Sequence, residues 1–402
     1  MADSGFKFRE IFRKQKVYNV EEYRHAAKRY LPRVVFEWID GGAEDEVTLR
    51  DNRAAFDDVK FRPHFARGIV SHDLSTTVLG QRLSLPVLLA PTGLAGIVRP
   101  DGELAAVRGA EAAGTRIFLS TSSSYSLEEV AAAAHEPHIF QLYPFWDSEF
   151  SDIMVDRAGK AGYGALCVTI DATTVGNRER DIRNGFLSPP RLTRTNGIDM
   201  LGHPTWLVRM MRSRRIGMSN VAREDERATD LRKAISNIDR AMKLLNPGFS
   251  WDDVARIRDR WPAKLAIKGV LAGEDAAKAV EIGADAVVVS NHGGRQLDGA
   301  PASLTALPEV VHAVSGKAQV ILDSGVRRGT DVVKALALGA DACLIGRPWL
   351  FGLAAGNDAG VAGVLEIFKK EITRTLGLIG QPTVIGIDHS ALWEAGRGSS
   401  QV

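Results

Sequence analysis

Eight short apolar runs, each closed by a polar residue, constrain the fold of this chain more than any other feature. Most of the runs are followed by a stretch with helical spacing, such as 274–282 after the fifth run and 330–338 after the seventh. Strand–helix units repeated eight times predict an α/β fold of the (β/α)8 class, the closed parallel barrel known as a TIM barrel. The runs cover residues 86–91, 116–121, 138–143, 165–171, 265–268, 286–292, 320–323 and 343–347.

The residues that close the runs predict where the site lies. In a barrel of this class the carboxyl ends of all the strands meet at one mouth, and active sites form there. The polar side chains at or just beyond these ends are Thr92, Thr121, Gln141, Tyr143, Thr169, Asp171, Lys268, His292, Asp323 and Arg347. We therefore expect them to lie close together, although they are far apart in the chain.

The spacing of the runs predicts a cap, a barrel and a tail within one structural domain. We expect a helical cap over 1–80, the barrel over 81–380 and a tail over 381–402. The fourth and fifth runs are about ninety residues apart, far more than an ordinary strand–helix connection. This gap predicts an insertion over 180–249 above the site, helical over 224–245. The cap is expected to close the amino-terminal end of the barrel.

The composition is that of a globular enzyme and argues against several other classes. Among 402 residues, 51 Lys and Arg nearly balance 49 Asp and Glu, so the charge predicts no nucleic-acid partner. Cys167 and Cys343 lie inside apolar runs, which favours a reducing compartment over a disulfide scaffold. No segment reaches the roughly 18–20 consecutive apolar residues of a membrane span. We expect a cytoplasmic protein without a metal site.

Two glycine–arginine segments after the seventh and eighth runs predict a phosphate site. Asp323, Gly325 and Arg327 belong to the first segment, and Gly346 and Arg347 belong to the second. Glycines let backbone N–H groups approach a phosphate, helix N-termini add partial positive charge, and arginines bind phosphate oxygens in pairs. The alternative is that turn glycines stand here beside solvated arginines.

Lys268 closes the fifth run, so its ammonium group is expected inside the barrel mouth. A buried lysine needs a partner or a function. A fixed positive charge there would stabilise an anion, such as a reduced ring system or an enolate. Schiff-base formation and a purely structural ion pair are the alternatives.

His292 is the candidate base, because two glycines follow it and leave its imidazole uncrowded. Asp171 closes the fourth run, and a carboxylate facing the ring would orient it and stabilise the imidazolium. Arg178 and Arg295 are suited to binding a substrate carboxylate with their forked N–H groups. Tyr143 adds a hydroxyl group. With the phosphate site and Lys268, these residues predict oxidation at the carbon beside a carboxylate, and flavin mononucleotide (FMN) fits as the electron acceptor.

In these residues the chain resembles the FMN-dependent L-2-hydroxy-acid oxidases and dehydrogenases, a family that includes glycolate oxidase, L-lactate dehydrogenase, flavocytochrome b2 and mandelate dehydrogenase. The resemblance runs from about Tyr23 to Leu378 and is weakest in the insertion. Segment 290–298, which reads Ser-Asn-His-Gly-Gly-Arg-Gln-Leu-Asp, is highly specific to the family. Supporting segments are 42–45, 90–93, 141–143, 169–171, 176–181 and 323–331.

The resemblance implies a barrel that holds FMN and assembles as a homo-tetramer. It implies that His292 is the base with Asp171 as its partner, that Arg178 and Arg295 hold the substrate carboxylate, and that Tyr143 contacts the substrate. The residues that it assigns to FMN are Pro91, Thr92, Gly93, Ser120, Gln141, Thr169, Lys268, Ser290, Asp323, Gly325, Arg327, Gly346 and Arg347.

Two departures from the family pattern concern the substrate. Trp38 stands where the family usually has a tyrosine that hydrogen-bonds the substrate carboxylate, and an indole can donate one N–H but cannot accept. Ser122 stands where glycolate oxidase-like members carry a bulky tryptophan over the substrate side chain. Together they favour a 2-hydroxy acid larger than glycolate, either mandelate-like or lactate-like.

Two features favour a dehydrogenase that passes its electrons to a quinone. Gly93 resembles the glycine of the mandelate and lactate dehydrogenases, where oxidases often have alanine. Segment 203–216 is apolar, aromatic and basic, as an interfacial helix would be, which predicts peripheral contact with the inner face of a membrane. The alternatives are a lid over the site, packing on a neighbouring subunit, and an oxidase that reduces O2 to H2O2.

Three other functional classes compete with this interpretation. A non-redox flavin isomerase would share the phosphate site but would not need the pair Arg178 and Arg295. A membrane-docked binding protein that has lost its activity would be consistent with Trp38. A flavin-free barrel enzyme could act on a phosphorylated sugar, and it would be colourless when purified.

Overall fold

The computed structural model describes residues 17–145, 147–186, 193–213, 215–221 and 245–393. The predicted helix over 224–245 therefore lies almost wholly outside the described residues, as do parts of the predicted insertion and tail and residue 214 of the predicted interfacial segment.

Eight parallel strands form the barrel, as predicted. From the second barrel strand to the eighth, each strand pairs with the next one in the chain, and the eighth pairs with the first. The first and second barrel strands are joined by an isolated parallel bridge from Leu89 to Ile117, which completes the circle. The barrel strands are β3 (Val87–Leu89), β4 (Phe118–Ser120), β5 (Ile139–Leu142), β6 (Ala165–Thr169), β7 (Lys264–Val270), β8 (Ala286–Val289), β9 (Gln319–Leu322) and β10 (Ala342–Ile345).

Helices surround the barrel and form the cap and the described parts of the insertion. The cap contains α1 (Val20–Tyr30), α2 (Arg33–Asp40) and α3 (Val47–Asp58). The insertion contributes α8 (Glu179–Arg183), α9 (Arg194–Leu201) and α10 (Pro204–Ser213). The others are α4 (Ala95–Val98), α5 (Gly102–Ala112), α6 (Leu127–Ala133), α7 (Ser148–Lys160), α11 (Trp251–Arg260), α12 (Gly273–Glu281), α13 (Ser303–Val314), α14 (Gly329–Ala337) and α15 (Arg347–Ile379), and a 3-10 turn spans His389–Ala391.

Alternation along the strands divides the core into two layers. In β10, for example, Leu344 points into the barrel, whereas Cys343 and Ile345 pack against the helices. Both cysteines are buried, and burial raises the pKa of the Cys167 thiol to about 12, so they act as small apolar side chains.

An antiparallel hairpin closes the amino-terminal end of the barrel. Strands β1 (Thr76–Val78) and β2 (Gln81–Leu83) are joined by Leu79 and Gly80, and Val78, Leu79 and Leu83 pack into the barrel interior. Gln319 fastens the hairpin, since its Oε1 accepts from the Leu79 N–H at 2.8 Å and its Nε2 donates to the Thr77 carbonyl. The hairpin spans residue 80, where the cap was expected to end.

The helical part of the cap lies at the opposite end, so the expectation that it closes the amino-terminal end was wrong. The Ala43 N–H donates to the Gly294 carbonyl at 2.8 Å, and Asn52 bonds Asn291 side chain to side chain. Asp298 accepts from the backbone at the start of α3. Residues of segment 290–298 thus hold the cap against the barrel mouth.

Helix α10 does not expose the aromatic face that the sequence suggested. Trp206 is buried and donates from Nε1 to the Ile97 carbonyl at 2.8 Å, and Met210 is also buried. The large apolar side chains that α9 and α10 expose are Ile198, Leu201, Val208 and Met211.

One described helix, α15, passes a length and composition test for crossing a membrane. More than half of its most apolar window is buried inside the protein. Its backbone is non-helical at Gly356 and Asn357, so a kink divides it into two helical parts.

Candidate functional site

A large cavity opens at the carboxyl ends of the barrel strands. It encloses about 1470 Å³, counting the part open to solvent. Residues expected to bind a cofactor and residues expected to bind a substrate line this same cavity. The predicted site residues that line it are Trp38, Pro91, Thr92, Gly93, Ser122, Tyr143, Arg178, Lys268, His292, Arg295, Asp323, Gly325, Arg327, Gly346 and Arg347.

His292 lies at the start of an unusual turn after β8. His292, Gly293 and Gly294 have φ angles of +59°, +69° and +71°, all in the left-handed region. A Cβ on Gly293 would lie 2.6 Å from Arg347 Nη1, and one on Gly294 would lie 2.7 Å from the backbone nitrogen of Leu49. Only glycine fits these two positions, and the turn directs the imidazole of His292 into the cavity.

His292 and Asp171 form the predicted pair. The imidazole Nδ1 lies 3.0 Å from Asp171 Oδ1, and the ring of Tyr143 stacks on the imidazole with centroids 6.3 Å apart. Burial lowers the pKa of His292, and Asp171 only partly opposes this effect. Burial alone would raise the pKa of Asp171, but His292 and Lys268 hold it below its usual value. The pair therefore rests as neutral imidazole and carboxylate, the state that a general base requires.

Gly269 lets β7 approach this pair closely. Its φ is +99°, and a Cβ there would lie 2.6 Å from the side chain of Asp171. The next residue back, Lys268, is buried and turns its ammonium into the mouth.

Lys268 is held by two partners. Its Nζ lies 3.0 Å from Asp323 Oδ2 and donates to Ser290 Oγ at 2.9 Å, and Ser290 in turn donates to Asp323. Burial would lower the pKa of Lys268, but the nearby carboxylates Asp323 and Asp171 outweigh it and raise this pKa above its usual value. The amine stays protonated, which disfavours the Schiff-base alternative, because that chemistry needs a neutral amine.

Arg178 and Arg295 lie on the same side of the mouth. Arg178 donates to the Arg295 carbonyl and to Gln296 Oε1, each at 3.3 Å. Arg295 donates to the Trp38 carbonyl at 2.7 Å and to the Gly41 carbonyl at 3.0 Å. Burial lowers the pKa of both guanidinium groups, which is the cost of placing two cations together away from water. An anionic ligand between them would offset that cost.

Trp38 and Ser122 shape the side of the cavity where departures from the family pattern were noted. The indole of Trp38 packs against Phe186 of the insertion, with centroids 5.4 Å apart and ring planes tilted by 41°, and the guanidinium of Arg295 lies 5.9 Å from the indole. Ser122 donates its backbone N–H to Ser120 Oγ and leaves the space above it open to the cavity.

The far end of the cavity is strongly cationic. Arg327 is half-buried beside Arg347 and Arg53, and its desolvation together with these cations lowers the pKa of Arg327 to about 9. Asp331 accepts from the Arg327 N–H and from Arg53, so part of the charge is balanced. The remaining excess of positive charge matches a dianionic phosphate.

Glycine is also required beside this cationic end. Gly325 has a φ of +80°, and a Cβ there would collide with the Asn52 carbonyl. Arg347 donates to the carbonyls of Ile39, Gly41 and Gly293 at 2.8–3.0 Å and so joins the cap to the mouth.

The residues expected beneath a flavin ring are buried at the strand ends. Gln141 donates from Nε2 to Thr169 Oγ1 at 2.9 Å, and Ser120 and Ser290 are also inaccessible to solvent. Within the described residues, Thr92 Oγ1 and Gln141 Oε1 are buried polar atoms without a hydrogen-bond partner. Such atoms are costly unless a ligand satisfies them, so these residues fit a ring that carries N–H and carbonyl groups.

Sequence reasoning missed several residues of the site. Gln296 bridges it, donating to the carbonyls of Asp171 and Thr174 and accepting from Arg178. Asp181 is buried 3.8 Å from Arg295. Both lie inside segments already quoted for the resemblance, which was the available signal. The apolar lining that no motif indicated is Phe145, Phe186, Met218, Val221 and Leu245.

Among the residues described, no group of three or more His, Cys, Asp or Glu side chains could hold a metal ion.

Comparison with known proteins gives consistent matches over nearly the whole chain. The family described as FMN-dependent dehydrogenase matches residues 27–394. The chain is 45% identical over 378 residues to L-lactate oxidase of Nostoc sp., covering 93% of this chain and 97% of that protein. It is 40% identical to glycolate oxidase 1 of Oryza sativa subsp. japonica, covering 94% and 96% of the two chains.

Solved structures give the same picture. The monotopic membrane protein (S)-mandelate dehydrogenase is similar with a TM-score of 0.90 and 38% identity, covering 95% of this chain and all of that one. A mandelate oxidase is similar with a TM-score of 0.79 and 35% identity, covering 94% and 98% of the two chains.

Proposed function

This chain belongs to the family of FMN-dependent dehydrogenases, and from that premise we propose that it oxidises an L-2-hydroxy acid larger than glycolate and passes the electrons to a quinone. Its cofactor is FMN, and its substrates are 2-hydroxy acids. The net reaction converts the hydroxy acid and a quinone into the 2-oxo acid and a quinol. Two electrons and two protons are thus transferred in total from the hydroxy acid to the quinone.

His292 acts as the base in this proposal. Arg178 and Arg295 bind the substrate carboxylate, Tyr143 contacts the substrate, and His292 removes a proton while Asp171 stabilises the imidazolium. Lys268 provides a fixed positive charge opposite the imidazole. FMN, when bound, accepts the two electrons that the substrate loses. The observation that carries the proposal is the 3.0 Å contact of His292 with Asp171 beside two half-buried arginines that line the same cavity.

The proposed cofactor residues are those that the family resemblance implies, and features of the cavity support them. Asp323, Gly325, Arg327, Gly346 and Arg347 would hold the ribityl tail and the phosphate. The residues that would contact the ring or ribityl chain are Pro91, Thr92, Gly93, Ser120, Gln141, Thr169, Lys268 and Ser290. Their support is the cationic far end and the unpartnered polar atoms at the near end.

The substrate is proposed to be mandelate-like or lactate-like. Ser122 leaves space where a larger side chain would fill the cavity, and Trp38 adds an apolar surface beside Arg295. The names of similar proteins agree with this range, since they include L-lactate oxidase and (S)-mandelate dehydrogenase.

The electron acceptor has two candidates. Gly93 and the similarity to a monotopic membrane dehydrogenase support a quinone, with the protein on the inner face of the membrane. The 45% identity to an L-lactate oxidase supports O2, with H2O2 as the product. A homo-tetramer is proposed in either case, from the family resemblance alone.

An anaerobic titration tests the proposal. Loss of flavin absorbance is followed with L-lactate, L-mandelate, glycolate and long-chain 2-hydroxy acids. Rapid bleaching by a larger acid, followed by recovery with a soluble quinone, is expected. Absence of bleaching with every acid would contradict the proposed oxidation. Release of H2O2 in air at the rate of substrate turnover would show that O2, and not a quinone, is the electron acceptor. A non-redox isomerase would not bleach.

A further inference from the structure

Segment 215–221 of the insertion folds back onto the loop that follows β4. The Ser219 N–H donates to the Ser123 carbonyl at 2.9 Å, and the Ser219 hydroxyl donates to the Ser124 carbonyl at 2.6 Å. Arg215 forms a bidentate ion pair with Glu129 of α6. Segment 215–221 is therefore fixed to the barrel at several points.

Asn220 is the centre of this attachment. Its side chain is buried and donates to the Thr121 carbonyl at 3.2 Å and to Ser123 Oγ at 2.9 Å. Its Oδ1 accepts from the Leu127 N–H, the first residue of α6, at 2.8 Å. One amide side chain thus satisfies three groups of the loop between Ser120 and α6, which is an unusually complete attachment for an insertion.

This attachment brings two apolar side chains to the active-site cavity. Met218 and Val221 flank the bonded residues, are 6% and 4% exposed, and line the cavity that Ser122 also lines. Because Ser123 and Ser124 are the direct partners of Ser219, Met218 lies on the same side of the mouth as Ser122. The space that Ser122 leaves is therefore bounded by residues of the insertion.

We infer that segment 215–221 forms the outer wall of the pocket for the substrate side chain, with Met218 and Val221 as specificity-determining residues and Asn220 as the residue that positions them. This inference rests on the proposed function and extends it to a substrate class, because the two side chains of this segment that line the cavity are apolar. The substrate side chain is accordingly an uncharged hydrocarbon or aryl group whose upper size Met218 sets.

Two substitutions of opposite size test the wall. The measured quantity is kcat/KM for anaerobic flavin reduction, expressed as the ratio of L-mandelate to L-lactate. Met218→Ala enlarges the pocket, and Met218→Phe narrows it while still filling the site. We expect the ratio to rise roughly tenfold in the first variant and to fall roughly tenfold in the second, the scale at which apolar pockets discriminate side chains.

The matched control is Met200→Ala. Met200 is half-buried on α9 of the same insertion, packs against the core and does not line the cavity. In Met200→Ala, the mandelate-to-lactate ratio of kcat/KM should stay within about twofold of that of the unaltered enzyme, as expected for a substitution away from a binding pocket.

Asn220→Ala tests the positioning role. Without its three hydrogen bonds the wall is no longer fixed, so the ratio should move toward the Met218→Ala value while kcat for lactate changes by less than about threefold. A general loss of folding would instead lower the flavin content and the melting temperature, which are measured alongside.

The outcomes separate the two proposals. Ratios within about twofold of the unaltered enzyme in Met218→Ala and Met218→Phe would overturn the inference even if every acid still bleached the flavin. If one of the two variants does not fold, the direction in which the mandelate-to-lactate ratio changes in the other variant tests the inference. Failure of the unaltered enzyme to be reduced by any 2-hydroxy acid would overturn the proposed function itself.

Discussion

The backbone at His292 is strained in a way that serves the site. A left-handed φ costs a residue with a Cβ on the order of 1 kcal/mol, and His292 has a φ of +59°. The strain persists because Gly293 and Gly294 continue the turn, and because the Ser290 hydroxyl accepts from the His292 N–H at 3.0 Å. The imidazole is therefore oriented by its backbone as well as by Asp171.

Replacement of His292 by Ala tests the proposed base. The flavin should stay bound, since neither the phosphate end nor Gln141 is altered, whereas anaerobic reduction by the best substrate should slow by about 10³-fold or more. Stopped-flow absorbance measures both. Reduction kinetics like those of the unaltered enzyme would contradict the assigned role.

The pH dependence of kcat/KM follows from the lowered pKa of His292. The base must be neutral, so the rate should be constant above the pKa and fall as pH drops below it, with a midpoint below about 6.5.

Because Asp171 raises that pKa, Asp171→Asn should move the acid limb to lower pH still. It should also reduce the plateau roughly a hundredfold, since the imidazolium loses its partner. A shift of the acid limb to higher pH would contradict the assignment.

At the scale of elements, the hairpin β1–β2 shows packing overriding turn preference. Leu79 and Gly80 have φ angles of +49° and +75°, the type I′ geometry that Asn-Gly prefers. Leucine costs about 1 kcal/mol there, but burying its side chain in the barrel is worth about 2–5 kcal/mol. The gain from burying Leu79 therefore exceeds the backbone cost, which explains why this turn carries no polar residue.

Leu79→Asn is expected to destabilise the protein although it suits the turn better. The net loss should be about 1–3 kcal/mol in the free energy of unfolding, measured by urea denaturation. Val70→Asn, at a position that is 98% exposed, is the control and should change little. A more stable Leu79→Asn variant would show that turn geometry dominates.

Among the described residues of the insertion, the apolar side chains that α9 and α10 expose are candidates for membrane contact. Changing Ile198, Leu201, Val208 and Met211 together to Ser should abolish flotation with anionic lipid vesicles, because each loses about 1–2 kcal/mol of apolar burial. Reduction by soluble substrate should remain. Ile153→Ser, on the barrel helix α7, is the control, and equal flotation of all variants would exclude this contact.

At the scale of the whole molecule, charge is distributed to favour an anionic cofactor. The chain is nearly neutral overall, yet Arg53, Arg327 and Arg347 converge at one end of the cavity. A buried cation without a full partner destabilises a fold. Ligand binding and folding stability are therefore linked at this point.

Arg327→Gln should separate these two effects. Affinity for FMN should fall about 10- to 100-fold, the scale of hydrogen bonds to a charged group, while affinity for riboflavin, which lacks the phosphate, should not change. The cofactor-free protein should melt at a higher temperature than before. Equal losses for FMN and riboflavin would place the phosphate elsewhere.

The barrel and much of the mouth could be predicted because each strand end carries its own local signal. Asp171 and Lys268 follow apolar runs directly, and parallel strands bring such ends together. The hairpin was missed because its strands are short and Leu79 is not a turn residue. The burial of Trp206 could not be predicted either, since an amphipathic segment does not reveal whether its apolar face meets lipid or, as here, Ile97.

The roles of the site residues stay predictions, and the reason is also physical. The pattern predicts which strand-end side chains meet, whereas Asp181 and Asn220 contact neighbours that only the fold brings close to them. Their contributions depend on distances of a few ångströms that no spacing in the chain encodes.

Arg347 fastens the cap to the barrel through the carbonyls of Ile39, Gly41 and Gly293. A ligand bound by this guanidinium dissociates only when those hydrogen bonds and the packing of α2 are broken together. Exchange of FMN with the surrounding pool should therefore follow the rate at which the cap detaches, not the strength of contacts around the ring.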